Sequence, residues 1–158
     1  MSKLRGNVAI VGIGEVPTGR FPEKGGISFA LESARMAIQD SGLNKDDIDV
    51  VIPTGALFSG PFNTELVTGR IVEELGLKNV QKNTQVFSGG SSSSNALQIA
   101  GALIVAGLAK NVLFVHADKL GTGVTAQGGI DLFSTAGISS EWEVPFGQHY
   151  SSVAALAT

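Results

Sequence analysis

The chain contains no cysteine, which excludes disulfides, cysteine-ligated zinc and any thiol nucleophile. Histidine occurs twice, at His116 and His149, so a metal site built from this chain's own ligands is not expected. Charge is scarce: 16% of residues are Asp, Glu, Lys or Arg, against about 25% in an average soluble protein. The formal charge of −3 and the scatter of the basic residues argue against a nucleic-acid groove, which is driven by clustered Lys and Arg. The longest apolar stretch, Ala96–Leu108, is too short to cross a bilayer. Met1–Gly6 is polar and the apolar run Val8–Ile13 carries no cleavage site, so no secretory leader is expected and the cytoplasm is the expected compartment.

Glycine, by contrast, is abundant: 21 of 158 residues, where an average chain of this length would have about 11. Many Gly and Ala with few charges suggest closely packed backbone, part of it buried against another subunit. The length suits one domain with a real core.

Periodicity divides the chain into alternating elements. Asn7–Val11 reads as a buried strand ending in Gly12-Ile13-Gly14. Ser28–Ser41 has a helical pattern, with Ser28 as the expected N-cap and Gly42 as the expected C-cap. Asp49–Ile52 reads as a strand stopped by Pro53. A helix is expected from Asn63 or Thr64 through Leu75, closed by Gly76. Thr84–Phe87 reads as a third strand and Asn111–Val115 as a fourth. Between them Asn95–Ala109 is apolar almost all round, as in a helix buried at the centre of a fold.

This β-α-β-α-β-α-β order predicts an α/β fold, with a mostly parallel mixed sheet, helices on both faces and a buried central helix. Residues 1–120 form the expected core. Residues 121–147, rich in Gly, Ser and Thr, read as an excursion or flap, and 148–158 as the start of a helix that looks interrupted. Lys45-Asp46-Asp47 reads as a solvated turn, with Asp46 or Asp47 satisfying backbone donors. Trp142 is either a flap anchor or an interface contact.

Two Gly-rich motifs invite a chemical reading. Val11-Gly12-Ile13-Gly14 begins like a dinucleotide fingerprint, but Pro17 stands where the third Gly is needed and no helix follows at once. A turn leaving the sheet is the better reading. Ser88-Gly89-Gly90-Ser91-Ser92-Ser93-Ser94 lacks the Lys of a phosphate loop and the spacing of a serine-hydrolase elbow. It remains a tight turn with N–H groups at a helix N-terminus. Such a turn either stabilises an anion or a thioester oxygen, or simply lets the helix approach its neighbours closely.

The segment Asn83-Thr84-Gln85-Val86-Phe87-Ser88-Gly89-Gly90-Ser91-Ser92-Ser93-Ser94-Asn95-Ala96-Leu97, with Ala102–Gly107 and Asn111–Val115 behind it, resembles the nucleophile region of thiolases. Val8–Gly12, Thr18–Phe21, the helix with Ala34 and Ala37, Ile48-Asp49 and Pro145-Phe146-Gly147 agree with that resemblance. The nearest subgroup in pattern is that of the sterol-carrier-protein thiolase-like proteins, often described as acetyl-CoA acetyltransferases. The resemblance covers the first half of a family subunit.

The resemblance places the family's catalytic cysteine on Gly90, which has no side chain to carry an acyl group. Ser91 is the substitute nucleophile to consider, although an alcohol needs an adjacent base. Gly89, Ser92 and Ser93 would bind the thioester oxygen. His149, at the start of the last helix, is a weaker candidate for touching substrate, and His116 reads as a packed, hydrogen-bonded residue at a strand end. The resemblance further implies a coenzyme A thioester as substrate, no permanently bound cofactor, and a homodimer pairing Thr84–Phe87 across a two-fold axis. It allows a zinc-ribbon/OB-fold partner protein or a separately supplied C-terminal half. Condensation or cleavage of acyl-CoA thioesters is the expected chemistry, with this chain inactive alone. The alternative is a non-catalytic assembly or acyl-binding subunit.

Overall fold

The computed structural model describes residues 4–55, 66–119, 125 and 141–147. The chain divides into two compact units, Met1–Lys119 and Leu120–Thr158. In the first, α1 (Gly26–Ser41), β1 (Val50–Thr54), α2 (Val67–Leu75), β2 (Lys82–Asn83), α3 (Ser92–Val105) and β3 (Val112–His116) follow one another. The strands form a parallel sheet in the order β2-β1-β3, with Val50 opposite Val112 and Thr54 opposite His116. In the second unit, a short 3₁₀ turn occupies Val144–Phe146, and Trp142 is exposed. The expected helix from 148, and all of the flap except Thr125 and the residues from Glu141 onward, lie outside the described residues.

Side-chain alternation along β1 sends apolar groups to both faces of the sheet. Val51 joins Leu113 and Val115 in a core shared with Ala30, Leu31 and Ala34 of α1 and Val67, Ile71 and Leu75 of α2. Val50 and Ile52 face the other way, onto Ala96 and Ala100 of α3. Helices therefore cover both faces, as expected. All five residues of β1 are buried, which explains its continuous apolar run.

Gly42 and Gly76 end α1 and α2 at φ of 69° and 63°, the left-handed cap conformation that a side chain disfavours. The chain enters β3 through a carboxylate anchor: Lys110 and Asn111 donate their backbone N–H groups to Asp49, at 2.8 and 3.1 Å. Asp47 closes a 3₁₀ turn by accepting the Asn44 N–H at 2.9 Å, the backbone-satisfying role expected at Asp46 or Asp47.

Several boundaries differ from the sequence reading. The N-cap of α1 is Gly25, and Ser28 lies inside the first turn, its N–H donating to the Gly25 carbonyl at 3.0 Å. Pro53 does not stop β1 but sits within it, opposite Val115. Residues along a parallel strand alternate between neighbours, and Val51 accepts from Thr84 on the β2 side. The donor that Pro53 lacks thus faces an edge where the β2 ladder has already ended. Thr84–Phe87 is no continuous strand: pairing is confined to Lys82–Asn83 and one bridge between Thr54 and Val86. Helix α2 is described from Val67; Asn63 and Thr64 lie outside the described residues. Helix α3 begins at Ser92, three residues early, because the serine hydroxyls organise its entry.

Asn7–Val11 forms no strand: Asn7 belongs to a turn, its N–H donating to the Leu4 carbonyl at 3.1 Å, and Ile10 and Val11 are exposed. Its glycines explain the departure. A Cβ on Gly12 would strike Ala37 and Ser41, and one on Gly14 would strike Ser33 and Ala37, so bare backbone packs directly on α1. The Ile13 N–H secures it by donating to Asp40 at 2.8 Å. Helix α3 buries Ser92, Ala96, Ala100 and Gly101, while Leu97 remains 46% exposed. Uniform apolarity gives such a helix no preferred face, and the small residues choose the sheet because they permit close approach.

Candidate functional site

The Gly/Ser turn joins Val86 to α3, at the end of the sheet where β1 and β3 also finish. Gly89 adopts a φ of 56° and turns the chain sharply. Two backbone bonds tighten the turn: Ser91 N–H to the Ser88 carbonyl at 3.2 Å and Ser92 N–H to the Gly89 carbonyl at 3.1 Å. The buried Ser92 hydroxyl accepts the Ser88 N–H at 2.8 Å and donates to the Gly89 carbonyl at 2.7 Å. That hydroxyl is spent within the turn. The Ser91 hydroxyl donates to the Ser88 carbonyl at 2.7 Å. Gly90 is exposed, and a Cβ placed on it would meet nothing within 4 Å, so a side chain would fit there.

Ser93 differs from its neighbours. Its hydroxyl lies 3.3 Å from Nδ1 of His116 at the end of β3. The other ring nitrogen of His116, Nε2, is 3.3 Å from a carboxylate oxygen of Asp118. Three groups of complementary chemistry therefore meet in a row at the mouth of α3. The side chains of His116 and Asp118 are 43% and 26% exposed, so the row is open to solvent.

Strand register explains the meeting. His116 pairs with Thr54, whose side chain follows Val50 and Ile52 onto the α3 face. Thr54 is fully buried, and its hydroxyl has no hydrogen-bond partner. Buried polar groups without partners are rare and mark places that merit a functional account. Gly55 follows at a φ of 118°; a Cβ there would strike the Ala117 carbonyl and stand 3.0 Å from Oδ1 of Asp118. A bare backbone at Gly55 makes room for that carboxylate.

Of the residues singled out from sequence, Gly89, Gly90, Ser91, Ser92 and Ser93 lie together on one turn, while His149 falls outside the described residues. His116 is hydrogen-bonded at the end of β3, as read from the sequence, but it is exposed rather than packed, and its meeting with Ser93 and Asp118 was not anticipated. The available signal was the His-x-Asp spacing directly after an apolar strand, which puts both side chains on one side of the extended chain. Among the described residues, no cluster of three His, Cys, Asp or Glu could hold a metal ion, and no helix is long and apolar enough to cross a membrane.

No protein-family model matches the chain. Three known proteins match most of it. An acetyl-CoA acetyltransferase of Methanocaldococcus jannaschii is 29% identical over 151 residues, covering 95% of this chain and 37% of the relative. A steroid side-chain-cleaving aldolase of Thermomonospora curvata is 26% identical over 151 residues, covering 93% of this chain and 37% of the relative. The solved structure of the Ltp2-ChsH2(DUF35) aldolase superposes with a TM-score of 0.65 at 24% identity, covering 88% of this chain and 33% of that chain; this match speaks to the fold. The chain thus spans little more than a third of the length of these relatives. In sequence and fold the chain is thus similar to thiolase-like proteins, over an extent consistent with the N-terminal half of such a protein.

Proposed function

We propose that this chain is the acyl-thioester-binding N-terminal part of a thiolase-like protein that makes or breaks carbon–carbon bonds in acyl-CoA substrates without a sulfur nucleophile. The observation that carries the reading is Gly90, a residue without a side chain, with open space where a Cβ would stand, on the turn that opens α3. A thiolase step needs a thiolate to accept the acyl group. Without one, the helix N-terminus can still polarise the thioester oxygen, through first-turn N–H groups that have no intrahelical acceptor. Cleavage or condensation then proceeds on the CoA-linked acyl group itself, as in an aldol-type reaction, with acid and base supplied from beyond the residues described. The aldolase relative supports this branch, and the acetyltransferase relative supports the substrate class.

The same reading assigns a homodimer and a zinc-ribbon/OB-fold partner, the latter by analogy with the DUF35-containing aldolase. Among the described residues β2 has a strand neighbour on one side only, and Phe87 beside it is exposed, which suits an edge that pairs with a second copy. The exposed apolar residues of α3 favour a second reading, a non-catalytic assembly or acyl-binding subunit.

Gly90→Cys tests the assignment. A thiol at this helix N-terminus should react with iodoacetamide at pH 7 about tenfold faster than an unperturbed cysteine, whose pKa is about 8.5. The unmodified protein should bind acetoacetyl-CoA in titration calorimetry yet show no thiolysis. Clear thiolytic turnover, or an ordinary thiol at position 90, would overturn it.

A further inference from the structure

We propose that Ser93, His116 and Asp118 form a nucleophilic relay that takes acyl groups from activated esters and thioesters and passes them to water. The choice of thioester rests on the function proposed above; the relay itself rests on geometry. A serine becomes a nucleophile when a base stands beside it and a third group orients that base. Ser91, the obvious substitute for the family's cysteine, has its hydroxyl turned to the Ser88 carbonyl. Ser93, one turn further along, faces an imidazole at 3.3 Å.

The tautomer follows from the neighbours. Nε2 lies against the Asp118 carboxylate, which accepts a proton-bearing nitrogen. Nδ1 is then left with its lone pair toward the Ser93 hydroxyl. The two ring nitrogens are used in the opposite sense from the familiar serine hydrolases, but the roles are the same, and roles define the constellation. Contacts of 3.3 Å are long for proton transfer; such bonds commonly tighten only when substrate binds. Ser93 also lies in the first turn of α3, where neither its own N–H nor that of Ser94 has an acceptor within the helix. These donors suit the oxyanion that forms on the attacked carbonyl.

The steps balance without any further reagent. Ser93 Oγ attacks the thioester carbonyl as its proton passes to Nδ1 of His116, and Asp118 stabilises the imidazolium. The carbon–sulfur bond breaks, the thiolate takes the proton from His116, and an ester on Ser93 remains. Water then loses a proton to His116 as it attacks that ester. The bond to Oγ breaks, Ser93 recovers the proton, and the carboxylic acid leaves. The sum is thioester plus water giving acid plus thiol. Asp118 touches no reacting atom and is a positioning residue.

The whole chain should be incubated with a fluorophosphonate probe and mapped by peptide mass, alongside assays of p-nitrophenyl acetate and acetyl-CoA hydrolysis. The label should fall on Ser93 and vanish in Ser93→Ala, with the urea midpoint of that variant unchanged. His116→Gln should slow labelling about a hundredfold, within the usual range for a lost general base. Asp118→Asn should slow it about tenfold, and Asp118→Glu should recover part of the rate, which a merely structural carboxylate would not do. Ser93→Cys should gain rapid alkylation by iodoacetamide, which shows the fold and the neighbouring base intact. An unlabelled wild-type chain, a label on another serine, or equal labelling of Ser93→Ala would overturn the relay. Labelling of Ser93 with no acetyl-CoA hydrolysis would overturn the thioester assignment. The probe needs only an activated serine, whereas acetoacetyl-CoA binding tests the function proposed above, so the two can fail separately.

Discussion

The two faces of the sheet have been put to different uses. Beneath α1 and α2, Val51, Leu113, Val115, Ile71 and Leu75 close into a core of large apolar side chains. Under α3 the buried contacts come from the small residues Ala96 and Ala100, with Leu103 and Ile104 only partly buried against them, and Leu97 stays exposed. The polar row of Ser93, His116 and Asp118, and the unpartnered Thr54 hydroxyl, also lie at this second face or beside it. One layer supplies the stability that lets the other carry glycine turns of positive φ, an unpartnered hydroxyl and open surface. Packing of that kind is what allows a site to depart from the rules that govern a core.

The contrast can be broken most directly by the same substitution on either side. Ile71→Ala should cost about 3 kcal/mol in urea denaturation, since it deletes a fully buried side chain between α2 and the sheet. Thr54→Val should stabilise by about 1 kcal/mol, because it replaces a buried hydroxyl that has no partner with a methyl group. A destabilised Thr54→Val would mean that the hydroxyl finds a partner in solution, for which His116, its register partner on β3, is a place to look. Ile99→Ala, on the partly exposed side of α3, should change stability by about 0.5 kcal/mol. A loss matching that of Ile71→Ala would show that this side is covered in solution, and would turn attention to the assembly reading.

Much of the fold was legible because the apolar periods and glycine stops are local signals. Gly42 and Gly76 end their helices where expected, and β1 and β3 lie within a residue of their expected starts. The first segment was misread because Asn7–Val11 has strand-like residues, yet the glycines after it favour contact of bare backbone with α1. Pro53 was misread as a stop because the cost of its missing donor depends on which edge it faces, and that is a property of the sheet. The same holds for the site. Gly90 could be assigned from a pattern along the chain, whereas the meeting of Ser93 with His116, separated by 23 residues in sequence, could not.

By itself the sequence determined the alternation of helices and strands, the absence of any thiol, and the place of a Gly/Ser turn ahead of an apolar helix. Each depends on residue identity or on spacing within one segment. Only the tertiary structure decided which face of that helix is buried, where the N-terminal segment rests, and which serine has a base beside it. Those outcomes depend on strand register, since the pairing of Thr54 with His116 sets where the imidazole arrives, and register is settled by contacts between segments far apart in the chain.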